Sequence, residues 1–287
     1  MLNNEKQIDL PDDIFHLFRD MIYDNSGVVL DEGSKYFVEN RLQQSIRRQQ
    51  FDNFRDYYYF LKYDRRKDEE LANVIDLLTI HETYFFREEQ QLKAFSDEIL
   101  PELVKHKSKE KKLRIWSAGC STGEEPYTIA MLLDERKELA GWNIEIFGTD
   151  ISHRVLQSAR RGVYQSNAFR CMNPHYMGRY FHKEDNGYRI SDNIKKNVIF
   201  LCFNVLDNNK LALINPMDII FCRNLIIYFD LSTKRKVIDA FYRKLKEGGY
   251  LLLGHSESLI NISTAFALRY FTHDMVYQRL DRSKERL

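Results

Sequence analysis

From Asp12 to about Arg87 the chain has no proline and only two glycines, Gly27 and Gly33. Little in that stretch can interrupt a helix. Cysteine is equally sparse: Cys120, Cys171, Cys202 and Cys222 stand far apart, with no CxxC pair and no histidine at ligand spacing beside them. That pattern supports neither a disulfide framework nor a zinc site; no metal is expected, and a reducing compartment fits. No apolar run approaches the length that spans a bilayer, and the opening MLNNEKQIDLPDD is polar and acidic where an export signal would be basic and then apolar. A cytoplasmic chain without membrane insertion is the expectation. An excess of one charge is also missing: 43 Lys plus Arg meet 42 Asp plus Glu, for a formal net charge of +1. General affinity for nucleic acid therefore has no basis in overall balance, and no aromatic and basic groove signature supplies one.

What the chain does have is enough apolar material to fold. Hydrophobic residues make up 44% and charged residues 30% of 287, an ordinary globular composition, and the length suggests two units. In the first, Ile14, Leu17, Phe18, Met21 and Ile22, and later Val74, Leu77 and Leu78, recur at three and four, the spacing of helices with one buried face. Asp12 or Asp13 is expected to cap the first helix, Asp31 or Ser34 the second and Asp52 the third. We read residues 1–87 as an all-helical domain. Residues 88–112 are read as a connecting helix, over 88–107, and a link, KSKEKK at 107–112, solvated because it has no apolar residue to bury.

After residue 112 short apolar runs alternate with helical stretches. LRIWSAG, NIEIFGTD, NVIFLCFN, MDIIFCRN and YLLLGHSE read as strands; residues 124–138, 152–162 and 231–245 read as helices. Strands this uniformly apolar are covered on both faces, as parallel strands flanked by helices are. The predicted fold of residues 113–287 is α/β, a doubly wound, mostly parallel sheet, closed at one edge by an antiparallel pair from FALRYFT and HDMVYQRL. Residues 163–196 interrupt the alternation and are read as a small inserted β subdomain, with a hairpin turning at Asp185, Asn186 and Gly187.

SAGCSTGEEPY places small residues between the first strand and the first helix, where backbone approaches a ligand. Its glycines, Gly119 and Gly123, do not make the G-x-G-x-x-G phosphate turn, and Glu124 and Glu125 would repel a pyrophosphate. A cationic, phosphate-free ligand such as S-adenosylmethionine, with its sulfonium and ammonium, suits the loop. FGTD ends in Asp150, at the strand tip from which nucleotide-binding α/β folds grip ribose hydroxyls. A plain helix N-cap is the alternative there, which Ser152 could supply. GHSES lacks the second glycine of a G-x-S-x-G nucleophile turn, because Ser258 occupies its place; it is read as a substrate-side loop.

Together SAGCSTGEEPY, FGTDIS, IIFCRNLIIYFD, GGYLLLGHSES and TYFFRE, in matching order over residues 10 to 280, resemble the chemotaxis receptor glutamate methyltransferases, the CheR family. The resemblance implies a class I S-adenosylmethionine methyltransferase fold with an N-terminal helical domain and a β subdomain at the interruption. It implies that Thr83 and Arg87 reach the methionine end of S-adenosylmethionine, with His81 standing where many members carry Asn. Gly119 would lie in the cofactor loop, Glu125 would take the ammonium and Asp150 the ribose. Asn204 and Val205 would flank the adenine, and Arg223 with Asn224 would close the site. Arg87 and Tyr228 would hold and orient the attacking carboxylate. Lys35, Arg41 and Arg48, with Gln44 and Arg47 nearby, lie near one helical face, opposite Phe37, Val38, Leu42 and Ile46; by the residues alone it reads as a solvated helix face. The resemblance implies that this face meets the acidic methylation region of a receptor coiled coil.

The implied activity is methyl transfer to receptor glutamates, giving methyl esters and S-adenosylhomocysteine. Some relatives dock a receptor's C-terminal peptide on a longer, Gly-containing loop of the insertion. HKEDNGYRIS is shorter and lacks that Gly-x-Gly pair, so tether-independent docking by a monomer is expected. A non-catalytic S-adenosylmethionine-binding signalling module is the alternative; the presence of Arg87, Glu125, Asp150 and Tyr228 favours catalysis.

Overall fold

The computed structural model describes residues 7–280; the outermost parts of the first and last sequence-based domains, 1–6 and 281–287, lie outside the described residues. The chain divides into two compact units, one of residues up to Ile80 with Tyr228–Asp230, the other of His81–Ile227 with the residues from Leu231 onward. Among the described residues no helix is long and apolar enough to cross a membrane.

The first unit is built from α1 (Asp12–Ser26), α2 (Lys35–Arg48), α3 (Phe54–Tyr63) and α4 (Lys67–Leu78). Their apolar stripes meet: Ile14, Phe15, Phe18 and Ile22 are buried, as are Val38, Leu42, Ile46, Tyr57, Leu61 and Val74. Phe18 packs edge-on against Phe54 and Tyr58. A side chain buried this fully contributes on the order of 2–3 kcal/mol. The caps differ from expectation. Pro11 precedes α1, where its fixed φ suits a helix start, and no side chain caps that helix. Ser34 precedes α2 without capping it. Asn53, one residue beyond Asp52, caps α3 by accepting the Asp56 N–H at 2.9 Å. The Tyr228–Asp230 segment joins this unit as a strand-like rung: Val28 pairs with Phe229, and Val29 N–H donates to the Tyr228 carbonyl at 2.9 Å.

The second unit opens with α5 (Glu89–Lys93), a π segment (Ala94–Ile99) and α6 (Leu100–His106). The expected single helix over 88–107 thus carries a wide turn just ahead of Pro101, which has no N–H to donate to the preceding turn. The following link is not simply solvated. Lys107 is 11% exposed and pairs with the buried Asp218 at 2.7 Å, and Lys112, already in the first strand, pairs with Glu145 at 2.6 Å.

The sheet follows as β1 (Lys112–Ala118), α7 (Glu124–Asp134), β2 (Asn143–Asp150), α8 (His153–Arg161), then the insertion with β3 (Val163–Tyr164), α9 (Pro174–Tyr180), β4 (Phe181–Glu184), β5 (Gly187–Ile190) and α10 (Asp192–Lys195). It continues with β6 (Val198–Cys202), α11 (Asn208–Ala212), β7 (Met217–Cys222), α12 (Leu231–Lys244), β8 (Leu245–Leu253), β9 (Phe266–Tyr270) and β10 (Met275–Arg279). The seven-stranded order is β6-β2-β1-β7-β8-β10-β9. The first five strands in that order run parallel, while β10 is antiparallel to β8 and β9 to β10. The chain winds outward from β1 through β2 to β6, then returns to β7 and winds the other way. The switch therefore falls between β1 and β7, and in such sheets ligands lie in the crevice outside the carboxyl ends at that point. The insertion forms a separate antiparallel sheet, β3-β5-β4, whose hairpin pairs Glu184 with Gly187 across Asp185 and Asn186.

Candidate active site

In the second unit the loops after β1, β2, β6 and β7 leave their strands at the carboxyl ends, whereas the His81–Glu88 segment runs from α4 into α5. After β1 the backbone turns sharply: Gly119 and Cys120 both donate to the Thr149 carbonyl, at 2.8 and 2.9 Å. Gly119, Ser121 and Gly123 all have positive φ. A Cβ on Gly123 would come within 2.8 Å of the Ala159 methyl, so both conformation and space demand glycine there. Ser121 donates its N–H to Oδ2 of Asp150 at 2.9 Å and its hydroxyl to the His81 carbonyl at 3.0 Å. Oδ1 of Asp150 accepts the Ser152 N–H at 3.0 Å. Ser152 is itself the N-cap of α8, accepting from Val155. Capping thus falls to the serine, and the Asp150 carboxylate is aimed by two backbone N–H groups at the tip of β2.

Beside it lies an ion cluster. Arg223, 3% exposed, donates from Nε to Glu88 at 3.2 Å, from Nη1 to Glu125 at 3.1 Å and from Nη2 to the Arg87 carbonyl. Ser117 donates to the other oxygen of Glu125 at 2.6 Å. Burial pushes the Glu125 carboxyl above its usual range, with Arg223 and Ser117 opposing that shift. Two carboxylates share one guanidinium, so with both ionised the cluster keeps one net negative charge, which in a low-dielectric setting favours a cationic group. Its neighbour Glu124 is buried and pushed up to about 7 by desolvation, despite a bond from Thr122.

The segment from His81 to Glu88 is held from several sides. Phe85 N–H donates to the Ala168 carbonyl, and its ring is boxed by Tyr164, Phe169 and Phe181. Phe86 N–H donates to Thr128, and Tyr164 donates its hydroxyl to the Thr122 carbonyl at 2.8 Å. The inserted sheet thereby braces both this segment and the loop after β1. Phe86 and Glu88 have positive φ, at 58° and 57°. The Arg87 guanidinium donates to the Glu82 carbonyl at 3.0 Å and lies over the Tyr84 ring, which also carries Arg170 on it. Thr83 is half-buried.

After β6, Phe203 N–H donates to the Asp150 carbonyl, Asn204 accepts the Leu206 N–H at 2.9 Å and Val205 is buried. After β7, Asn224 has φ of 58° and donates its N–H to Glu257. The structure thus brings together His81, Gly119, Asp150, Asn204, Glu125 and Arg223 with the backbone of Arg87. Tyr228 falls with the helical unit. In that unit Lys35 pairs with Asp12 at 2.5 Å and Arg48 with Glu70 at 2.8 Å. Arg41 lies over the Phe37 ring. Phe37 was expected on the opposite face; being one turn away, it lies under the guanidinium.

Sequence reasoning missed Ser117, Ser121, Glu88 and Glu257. Glu88, directly after Arg87, was within reach as a second acid beside a buried arginine. Glu257 sits in GHSES, read as a substrate-side loop; its carboxylate accepts backbone N–H groups from the turn after β7.

A mostly parallel sheet wound both ways from β1, with an inserted antiparallel sheet and an all-helical unit before it, is the fold of the class I S-adenosylmethionine methyltransferases. Residues 81–275 match the family model "CheR methyltransferase, SAM binding domain", and residues 13–79 match "CheR methyltransferase, all-alpha domain". The chain belongs to the CheR family of chemotaxis protein methyltransferases, enzymes that carry out S-adenosylmethionine-dependent methylation in chemotaxis. It is 37% identical to chemotaxis protein methyltransferase 2 of Vibrio cholerae over 97% of this chain and 96% of that one. It is 37% identical to the chemotaxis protein methyltransferase of Borreliella burgdorferi over 83% and 86%, and 32% identical to that of Escherichia coli over 94% and 92%.

Proposed function

We propose that this methyltransferase esterifies glutamate side chains in the cytoplasmic methylation region of chemoreceptors, acting as a cytoplasmic monomer without a peptide tether. The observation that carries the site reading is the cluster of Glu88, Glu125 and Arg223, whose residual negative charge suits the ammonium of S-adenosylmethionine. In this reading Glu125 takes that ammonium and Asp150 the ribose hydroxyls. Asn204 and Val205 flank the adenine, Gly119 allows close approach, and His81, Thr83, Arg223 and Asn224 line the remainder. The bound donor supplies an electrophilic methyl group on a sulfonium.

A glutamate carboxylate is already ionised near neutral pH, so this chain needs no general base. Its residues align the nucleophile and exclude water. Arg87 holds the carboxylate by charge-assisted hydrogen bonds and Tyr228 orients it. The half-buried Arg87 side chain rests on the Glu82 carbonyl and the Tyr84 ring. The deciding experiment incubates the protein with S-adenosylmethionine labelled in its methyl group and with receptor-containing membranes. Label released by mild base as methanol is expected; base-stable label on receptor would overturn the glutamate assignment.

The half-buried Lys35 and the exposed Arg41 and Arg48 of α2 form the receptor face in this reading. Arg48 also secures Glu70, so Arg41→Glu is the cleaner probe. It is expected to weaken receptor methylation several-fold at unchanged cofactor affinity; identical receptor kinetics would remove the assignment.

A further inference from the structure

Three backbone N–H groups from two different loops converge on one side chain. Oε2 of Glu257 accepts from Asn224 and from Gly254, both at 2.8 Å, and Oε1 accepts from Ile227 at 3.2 Å. Two of these donors lie in the turn after β7 and the third begins the turn after β8. The two turns touch closely enough that a Cβ on Gly254 would stand 3.0 Å from both the Asn224 nitrogen and Oε2 of Glu257. Asn224 is held at φ of 58°, in the left-handed region that asparagine tolerates better than most non-glycine residues. The residue before it, Arg223, delivers its guanidinium to Glu88 and Glu125.

We infer that Glu257 is a positioning residue for the cofactor crevice, its carboxylate fixing the turn after β7 and so the placement of Arg223 and Asn224. The chemistry is specific to a carboxylate. Both oxygens accept and neither donates, so all three N–H groups are satisfied at once. A glutamine in the same position keeps one acceptor and turns an NH2 group toward donors. Nothing in the hydrogen-bonding of Glu257 requires substrate contact; it acts through the two residues it aims. The inference rests on the reading that Arg223 and Asn224 close the cofactor crevice.

The test uses the full chain and S-adenosylhomocysteine, titrated calorimetrically into wild type, Glu257→Gln and Glu125→Gln, with melting temperatures and methyl-transfer kinetics recorded alongside. Glu257→Gln is expected to weaken S-adenosylhomocysteine about ten-fold or more and to raise KM for the methyl donor in parallel, at temperatures where the variant is fully folded. A lowered melting temperature with wild-type affinity would mean a loop staple only and would overturn the inference, provided Glu125→Gln weakens binding. Wild-type affinity in both variants would bring down the reading of the crevice and this inference with it. If Glu257→Gln does not fold, Gly254→Ala presses a methyl onto the same contacts while leaving the carboxylate in place. It is expected to weaken binding in the same way, and a folded Gly254→Ala with wild-type affinity would overturn the inference.

Discussion

Each unit buries a glutamate beside an arginine, and the two arrangements are built to opposite ends. Glu70, 5% exposed in the helical unit, accepts from Tyr57 at 2.6 Å and from Arg48 and Gln49 at 2.8 Å. One carboxylate meets one guanidinium, and the charge closes. Glu125 shares the buried Arg223 with Glu88, and a negative charge is left over. The backbone differs in the same sense. Among the described residues seven non-glycine positions have positive φ; Phe86, Glu88, Ser121 and Asn224 lie in loops around Arg223 and Asp150, whereas Gln50 alone lies in the helical unit. Each such residue carries on the order of 1 kcal/mol of strain. A satisfied acid on relaxed helices serves stability; an over-charged acid among strained turns is what a site for a cation looks like.

That contrast can be broken by experiment. Glu125→Gln removes the surplus charge while keeping the side chain's shape, and is expected to weaken S-adenosylhomocysteine by about a hundred-fold with the melting temperature held or raised. A calorimetric titration giving the wild-type constant would break the comparison outright. Glu70→Ala is the mirror experiment. It strips partners from the buried Tyr57 hydroxyl and is expected to cost about 2–3 kcal/mol in urea unfolding, leaving cofactor affinity of the folded protein untouched. A matching loss of affinity would show that the two glutamates do not divide these tasks.

The third test is of pH and is smaller. Burial pushes Glu124 up to about 7 from an ordinary 4.5. The folded state binds this proton more tightly than the unfolded state, so the stabilisation is complete below about 4.5, fades between there and 7, and is absent above. The wild-type melting temperature should fall between pH 5.5 and pH 8 relative to that of Glu124→Gln, corresponding to about 2 kcal/mol. Parallel curves for the two proteins would show that Glu124 does not titrate in this range.

Where the sequence was legible, a local rule marked the answer. NIEIFGTD coincides with β2 (Asn143–Asp150) because a short apolar run ends in a charged tip. The hairpin at Asp185 and Asn186 announces itself by turn residues. Parallel winding followed from strands apolar on both faces, of which β7 is wholly buried. The readings that failed depended on partners distant in sequence. Lys107 looks solvated in KSKEKK until Asp218 is placed beside it across 111 residues. Glu257 looks like a loop acid until backbone from 33 residues earlier is folded onto it. Backbone N–H groups have no residue identity, so a carboxylate that binds them leaves no pattern to read. Helix caps erred by single residues for a related reason. Asn53 and Asp52 are equally capable, and only the chain's entry angle chooses between them.

The inserted three-stranded sheet is fastened at both of its neighbours: the Tyr164 phenol secures the loop after β1, and the Phe85 ring is gripped by Tyr164, Phe169 and Phe181. It serves as a splint across two pieces of backbone that would otherwise be set independently. Any transplant of a foreign module at this position has to bring its own phenol and its own aromatic socket, or the loop after β1 and the His81–Glu88 segment lose their common reference.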